Sequence, residues 1–122
     1  RQALDSAPEF GDKKTYQMDY ANQKEALNEA LKDLDEGADI IMIKPGLPYI
    51  DIVNFISDKI ICPIAVYQVS GEYSMLKIAA EKGFLNFDQV MIEQLYAFKR
   101  AGASMIVTYH AKNAVKLLNK SL

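Results

Sequence analysis

One lysine stands where the chain could place a reactive amine: Lys44, directly after a short apolar run. Residues 40–43 are Ile-Ile-Met-Ile, which is typical of a buried strand, and the Pro-Gly pair after the lysine predicts a turn. A lysine that leaves a buried strand has a desolvated stem. Desolvation lowers the pKa of an ammonium group toward the range where the neutral amine attacks a carbonyl. Lys44 is therefore the candidate nucleophile.

Two further strand ends supply groups that would complement this amine. Ser70 follows the apolar run 64–69, and Tyr109 ends the run 104–109. The carboxyl ends of parallel strands meet at one edge of a sheet, where α/β folds bind ligands. A hydroxyl and a phenol there suit a substrate with a carboxylate as well as a carbonyl. Taken singly, each has a structural explanation, since Ser70 could cap the next helix and Tyr109 could simply pack.

Other residues near these strand ends are less specific. Tyr49 and Tyr67 flank the same region and could line a pocket, although packing is the commoner role of such tyrosines. His110 is the only histidine, and it could shuttle protons, but a lone histidine near a strand end is more often incidental. These residues add possible walls to the site without defining its chemistry.

The elements that must position these groups alternate between helix and strand. Helices are predicted at about 22–36, 50–59, 75–82, 86–100 and 111–119, and strands at 40–43, 64–69 and 104–109. Asn22 and Asn86 have the spacing of N-caps, and residues 70–73 are predicted to form a turn. A helix-stopping glycine followed at once by a strand occurs twice, at Gly37 and Gly102, which indicates a repeated unit. The pattern predicts an α/β fold with a parallel sheet.

Composition narrows the class of protein. The chain has 122 residues, of which 50% are hydrophobic and 25% charged, and this is an ordinary globular composition for one domain or less. A net charge of −2 argues against binding to nucleic acid or to an acidic membrane surface. Without a long apolar run or a signal-peptide pattern, we expect a cytoplasmic protein. Cys62, the one cysteine, cannot form an internal disulfide and is a poor zinc ligand candidate alone.

Four motifs carry a family resemblance: GDKKTYQM at 11–18, MIKPGLPY at 42–49, AVYQVSGEY at 65–73 and KRAGA at 99–103. Together they resemble the delta-aminolevulinic acid dehydratase family, also called porphobilinogen synthases, in order through nearly the whole chain. The resemblance implies the C-terminal part, about three βα units, of a TIM (β/α)8 barrel. On this basis 1–122 belongs to a single domain, with a lid or loop at 1–21 and βα units at 22–122.

The resemblance also implies an activity. This family condenses two molecules of 5-aminolevulinate into porphobilinogen, a step of tetrapyrrole and heme biosynthesis. Lys44 matches the lysine that forms a Schiff base with one substrate, while Ser70 and Tyr109 match groups on that substrate's carboxylate. Tyr67 matches a pocket-lining tyrosine.

Further site residues follow from the resemblance alone. Arg1, Lys13 and Gln17 match positions that bind the carboxylate of the other substrate. Lys13 stands where many members have arginine, so a point charge replaces a planar fork and the contact is expected to be weaker. Glu29 matches a position at which some bacterial relatives hold an allosteric magnesium. Whether the active site uses zinc or magnesium depends on a segment that this chain does not contain.

The resemblance implies that the site is incomplete here. The family's other Schiff-base lysine lies upstream, so we expect the isolated 122 residues to be inactive and to need the missing N-terminal part of the barrel. The resemblance also suggests a homo-octamer. Two alternatives stay open: another Schiff-base TIM-barrel lyase of the aldolase type, and a non-catalytic α/β fragment that acts as a binding or assembly module.

Overall fold

The computed structural model describes residues 22–120. Five α-helices and three β-strands follow one another there, with a single 3-10 turn at Leu47–Tyr49 before the second helix. In chain order they are α1 (Gln23–Asp35), β1 (Ile41–Ile43), α2 (Ile50–Ser57), β2 (Ile64–Gln68), α3 (Ser70–Glu81), α4 (Phe87–Ala101), β3 (Met105–Thr108) and α5 (Ala111–Lys120). None of these helices is long and apolar enough to cross a membrane.

The three strands form one parallel sheet in the order β1-β2-β3. Ile41 pairs with Ile64 across the first ladder, and Ala65 pairs with Met105 across the second. Each strand is followed by helical structure before the next begins, as parallel pairing requires. The predicted α/β architecture of about three βα units is confirmed.

The two faces of the sheet differ because side chains alternate along a strand. One face is buried against the helices, and its core includes Ile41, Ile43, Ile64, Val66 and Phe98. On the other face Met42, Met105 and Val107 are 51%, 40% and 45% exposed. Parallel sheets are ordinarily covered on both sides. Within residues 22–120 nothing covers this second face, which is the face that a barrel turns inward.

The helix boundaries follow local signals in the sequence. The Asn22 side chain accepts a hydrogen bond from the Glu25 N–H at 3.2 Å, and Asn86 accepts one from the Gln89 N–H at 2.9 Å. Both asparagines are therefore N-caps, as predicted. Gly102, which ends α4, has φ +121°, a conformation that side-chain-bearing residues rarely adopt.

The turn predicted at 70–73 is wrong, because α3 begins at Ser70, directly after β2. The Val69 N–H donates to the Glu72 carboxylate at 2.7 Å. This contact satisfies a backbone donor that a starting helix would otherwise leave unpaired. The chain can therefore turn from strand to helix without an intervening loop.

Candidate active site

Lys44 comes directly after β1 and lies beside Tyr67 of β2. The pairing of Ile43 with Val66, continued by one residue, brings the lysine level with that tyrosine on the face opposite the helices. Lys44 Nζ is 6.0 Å from the centre of the Tyr67 ring, at the outer limit of a cation–π contact. The Lys44 amine therefore lies at the carboxyl edge of the sheet, as predicted.

The environment of Lys44 differs from the one expected. The side chain is exposed, because it projects from the uncovered face of the sheet. We predicted from the apolar run that the Lys44 side chain is desolvated, but residues 22–120 do not bury it. The strand is buried on its helix side only, and a strand's alternation puts residue 44 on the other side.

Tyr67 and Tyr109 form a pair of phenols next to the lysine. Their hydroxyl oxygens are 3.4 Å apart, so that either one can donate to the other. The pKa of Tyr67 is raised above its ordinary value of 10.0, first by the hydrogen bond to Tyr109, then by burial and by the charge of Tyr109 when it ionises. Tyr67 is therefore protonated near neutral pH. In a hydrogen-bonded pair of phenol hydroxyls one O–H is left to donate to a ligand oxygen.

Ser70 is the first residue of α3 and lies at the carboxyl end of β2. The N-cap of that helix is Val69, so the alternative role of Ser70 as the cap is not what the structure shows. The N-terminus of a helix carries a partial positive charge that favours an anion. The Ser70 hydroxyl therefore lies at the positive end of a 12-residue helix.

The turn after Lys44 is held to the start of α3 by Glu72. The carboxylate accepts hydrogen bonds from the Gly46 N–H at 2.9 Å and from the Leu47 N–H at 2.7 Å, in addition to the Val69 N–H. Gly46 is also packed tightly, because a Cβ added there would lie 2.7 Å from the Phe98 ring. Sequence reasoning missed Glu72, since its partners are backbone groups that no side-chain motif marks.

A partly buried polar network supports the ends of β2 and β3. The Thr108 hydroxyl donates to the Gln68 side-chain oxygen at 2.7 Å, and the Gln68 amide donates to Gln94 at 2.6 Å. The His110 N–H donates in turn to the Thr108 hydroxyl at 3.1 Å. These bonds fix the two strand ends relative to each other, and so they orient the neighbouring Tyr67 and Tyr109.

His110 is fully buried in an aromatic box behind Tyr109. The centre of its ring lies 4.8 Å from the ring centre of Tyr73 and 5.3 Å from that of Phe87. The ring centres of Tyr73 and Tyr109 are 5.6 Å apart. Neither imidazole nitrogen has a hydrogen-bond partner in the described part of the chain, and burial lowers the pKa of the group. A neutral, enclosed ring fits a packing role, so the structure does not favour the proton shuttle.

Glu29 lies on the exposed side of α1, where its carboxylate pairs with Lys32 Nζ at 3.5 Å. It lines a cleft of about 310 Å³ at the open edge of β1, together with Asp33, Tyr49 and Lys44. Residues 22–120 contain no group of three His, Cys, Asp or Glu residues that could hold a metal. These residues therefore do not form a metal site by themselves, and the magnesium at Glu29 stays a prediction.

The described part of the chain brings together Lys44, Tyr67 and Tyr109, and it places Ser70 at the same edge of the sheet. The open-edge cleft touches the lysine but not the two phenols or the serine, because three strands do not enclose the site. Arg1, Lys13 and Gln17 lie outside the described residues, as does the predicted lid at 1–21.

Comparison with known proteins identifies the family. The family model for delta-aminolevulinic acid dehydratase matches residues 1–117. The chain belongs to the delta-aminolevulinic acid dehydratase family. It is 54% identical to the Helicobacter pylori delta-aminolevulinic acid dehydratase over 121 residues, covering 99% of this chain and 38% of the relative. The Bacillus subtilis dehydratase is 51% identical over 118 residues, covering 97% of this chain and 36% of that relative.

A solved structure of the same family shares the fold. The delta-aminolevulinic acid dehydratase of Toxoplasma gondii ME49, in complex with the reaction product porphobilinogen, matches with a TM-score of 0.95 and 50% identity. The match covers 100% of this chain and 35% of that one. The chain thus spans little more than a third of the length of these dehydratases, and it has the fold of part of a TIM barrel.

Proposed function

We propose that this chain forms part of a porphobilinogen synthase, a hydro-lyase that condenses two molecules of 5-aminolevulinate into porphobilinogen for heme biosynthesis. The observation that carries the proposal is a lysine beside two hydrogen-bonded phenols at the carboxyl edge of a parallel sheet, in a chain of this family. A family member with porphobilinogen bound gives further support.

In the proposed reaction the neutral amine of Lys44 attacks the ketone carbon of one 5-aminolevulinate. The carbonyl oxygen takes up protons and leaves as water, and an imine joins the substrate to the lysine. The imine carbon is then attacked by the carbon next to the carbonyl of the second substrate, whose own ketone oxygen leaves as water when that substrate forms an imine with the second lysine. Ring closure by the amine of the first substrate displaces the second lysine, and elimination of Lys44 completes the pyrrole. This balance accounts for both ketone oxygens.

The neighbouring groups would bind and orient the first substrate. Ser70 and Tyr109 donate hydrogen bonds to its carboxylate, and the positive end of the α3 dipole adds to the attraction. Tyr67 lines the pocket. When its hydroxyl donates to the Tyr109 oxygen, the Tyr109 O–H is left to donate to the substrate carboxylate. Arg1, Lys13 and Gln17 would hold the carboxylate of the second substrate by charge and hydrogen bonding.

The rest of the assembly is proposed from the family. The second Schiff-base lysine, and the strands that would cover the exposed face, would come from chain outside these 122 residues. We propose a homo-octamer in the cytoplasm, with an allosteric magnesium whose ligands include Glu29.

Reductive trapping tests the proposal directly. The full-length enzyme is incubated with 5-aminolevulinate and borohydride, which reduces an imine to a stable amine adduct. We expect peptide mapping to find the adduct on Lys44. Labelling of another lysine while Lys44 stays unmodified would remove Lys44 from its role, and activity that survives loss of both Ser70 and Tyr109 would favour an aldolase-type enzyme instead.

A further inference from the structure

The buried carboxylate of Glu72 joins two segments that carry proposed site residues. Its side chain is among the few buried charged groups of the described residues, and the residue is 4% exposed. One oxygen accepts from the N–H groups of Gly46 and Val69, and the other accepts from the N–H of Leu47. The first segment follows Lys44 and the second precedes Ser70, so one side chain joins the turn after β1 to the start of α3.

Three backbone donors make this a specific site for an ionised carboxylate. Burying a charge is costly unless it is paired or hydrogen-bonded. In the described part of the chain no basic side chain lies within ion-pair distance of Glu72, whose partners are the three N–H groups. Bonds between an N–H and a carboxylate are stronger than neutral ones. Two of the three hold the turn after Lys44, and the third holds the start of α3.

Among the residues that the structure describes, no other side chain forms a hydrogen bond to the turn after Lys44. Gly46 packs closely against the side chains of Phe98 and Val66, and its N–H donates to Glu72. The turn is therefore both packed on the core and hydrogen-bonded to α3. Lys44 lies two residues before Gly46, its side chain is exposed, and its Nζ is 6.0 Å from the centre of the Tyr67 ring. Within residues 22–120 no hydrogen bond or ion pair holds this amine. The direction in which the amine leaves the sheet is therefore set by its backbone.

We propose that Glu72 is a positioning residue for the Schiff-base lysine: it fixes the turn that carries Lys44 relative to the helix start that carries Ser70. The proposal rests on the proposed function, since it assumes that Lys44 forms the imine. Glu72 touches neither substrate nor reacting atoms in this view. It holds the amine and the carboxylate-binding hydroxyl at a fixed separation, which keeps the ketone within reach of the amine.

Glutamine is the sharpest probe of this role because it keeps the shape of the side chain. A glutamine has one oxygen, which could retain the Gly46 and Val69 bonds or the Leu47 bond, but not all three. Its NH2 group would face at least one backbone N–H, and two donors repel each other. A displacement on the order of 1 Å at a reacting group can cost about a hundredfold in rate. Glu72→Gln should therefore slow imine formation even in folded enzyme.

The experiment is rapid mixing of full-length enzyme with 5-aminolevulinate, followed by borohydride quenching at a series of times. The final amount of adduct on Lys44 measures the fraction of native sites, and the rate constant measures how well the amine is placed. We expect Glu72→Gln to lower the rate constant by about ten- to a hundredfold and kcat in parallel. A purely structural role would lower the final amount and leave the rate constant unchanged.

Two further variants complete the test. Glu81→Gln removes an exposed carboxylate from the same helix and should keep the wild-type rate constant. Glu72→Asp keeps the charge but shortens the side chain, so it should give an intermediate rate constant. If Glu72→Gln does not fold, Glu72→Asp replaces it as the test variant. A wild-type rate constant in folded Glu72→Gln, or in Glu72→Asp, would overturn the proposal. If wild-type enzyme is not labelled at Lys44 at all, the proposed function falls and this inference falls with it.

Discussion

The hydroxyl oxygens of Tyr67 and Tyr109 lie 3.4 Å apart at the ends of neighbouring strands, and this contact is the leading cause of the raised pKa of Tyr67. When Tyr67 ionises it loses its bond as a donor, and a second phenol nearby resists a second negative charge. Tyr109→Phe removes both effects and leaves burial. We therefore expect the pKa of Tyr67 to fall toward 10.0 while staying above it.

Carbon-13 labelling of the tyrosine ring carbon that bears the hydroxyl allows this pKa to be followed by NMR in the full-length enzyme. Tyr96→Phe is the matched control, since Tyr96 is an exposed phenol on α4. That variant should leave the titration of Tyr67 unchanged. An unaltered Tyr67 titration in Tyr109→Phe would show that the two hydroxyls do not interact in the enzyme.

Replacing Lys44 tests the nucleophile by itself. Lys44→Met keeps the length of the side chain but removes the amine, and we expect turnover of 5-aminolevulinate to fall by about a thousandfold or more, as for other catalytic nucleophiles. The fold should survive, because Lys44 is exposed. Lys82→Met, at the exposed end of α3, should turn over normally. Steady-state assays with circular dichroism spectra would compare the two, and wild-type turnover in Lys44→Met would refute the assignment.

The turn that follows Lys44 depends on a glycine for a steric reason. At Gly46 an added Cβ would lie 2.7 Å from the Phe98 Cζ atom and 2.9 Å from a Val66 methyl, and both side chains are fully buried. The φ of Gly46 is −68°, so its backbone would accept alanine. Gly46→Ala should lower the free energy of unfolding by about 1–3 kcal/mol through overpacking alone.

Gly71 provides the opposite control. It lies in the first turn of α3, and a Cβ there would meet nothing within 4 Å. Gly71→Ala should raise the free energy of unfolding by about 0.5–1 kcal/mol, because alanine loses less backbone entropy in a helix. Thermal denaturation of both variants would check the pair. Equal stability of Gly46→Ala and wild type would mean that the turn can move away from Phe98.

The fold was predictable where the signals are local. The Asn22 and Asn86 caps and the glycines that end α1 and α4 lie within a few residues of the helix ends that they specify. The strands follow from apolar runs of β-branched residues. Lys44 and Tyr109 could be placed at one edge because parallel strands share a direction. The predicted desolvation of Lys44 is not found within residues 22–120, where the residue lies on the uncovered face of the sheet.

The rest depends on contacts that are distant in sequence. Glu72 accepts hydrogen bonds from the backbone of residues 46 and 47, which are 26 and 25 positions away. The side chains of Gly46 and Leu47 give no indication that their backbone N–H groups bind a carboxylate. The aromatic box around His110 is similar, since Tyr73, Phe87 and His110 come from three different segments.

The burial of His110 makes the free energy of unfolding depend on pH. Burial lowers the pKa of His110 below its ordinary value of 6.5, so the unfolded chain binds the proton more readily than the folded one. Stability that depends on the neutral ring is complete well above pH 6.5 and is lost as the pH falls through that value toward the folded pKa. The loss can reach about 1.4 kcal/mol for each pH unit in this window. Below the folded pKa it levels off.

His110→Phe provides the comparison, because it keeps a planar aromatic ring beside Tyr73 and Phe87 that cannot be protonated. The melting temperatures of the wild type and the variant are measured at pH 7.5 and at pH 5.5 in the same buffer ions. We expect the wild type to lose more stability than the variant between these values, since only the wild type must exclude a proton from its core. Identical losses in the two proteins would mean that the imidazole reaches solvent or a hydrogen-bond partner when it is charged, and that His110 is not sealed behind Tyr109.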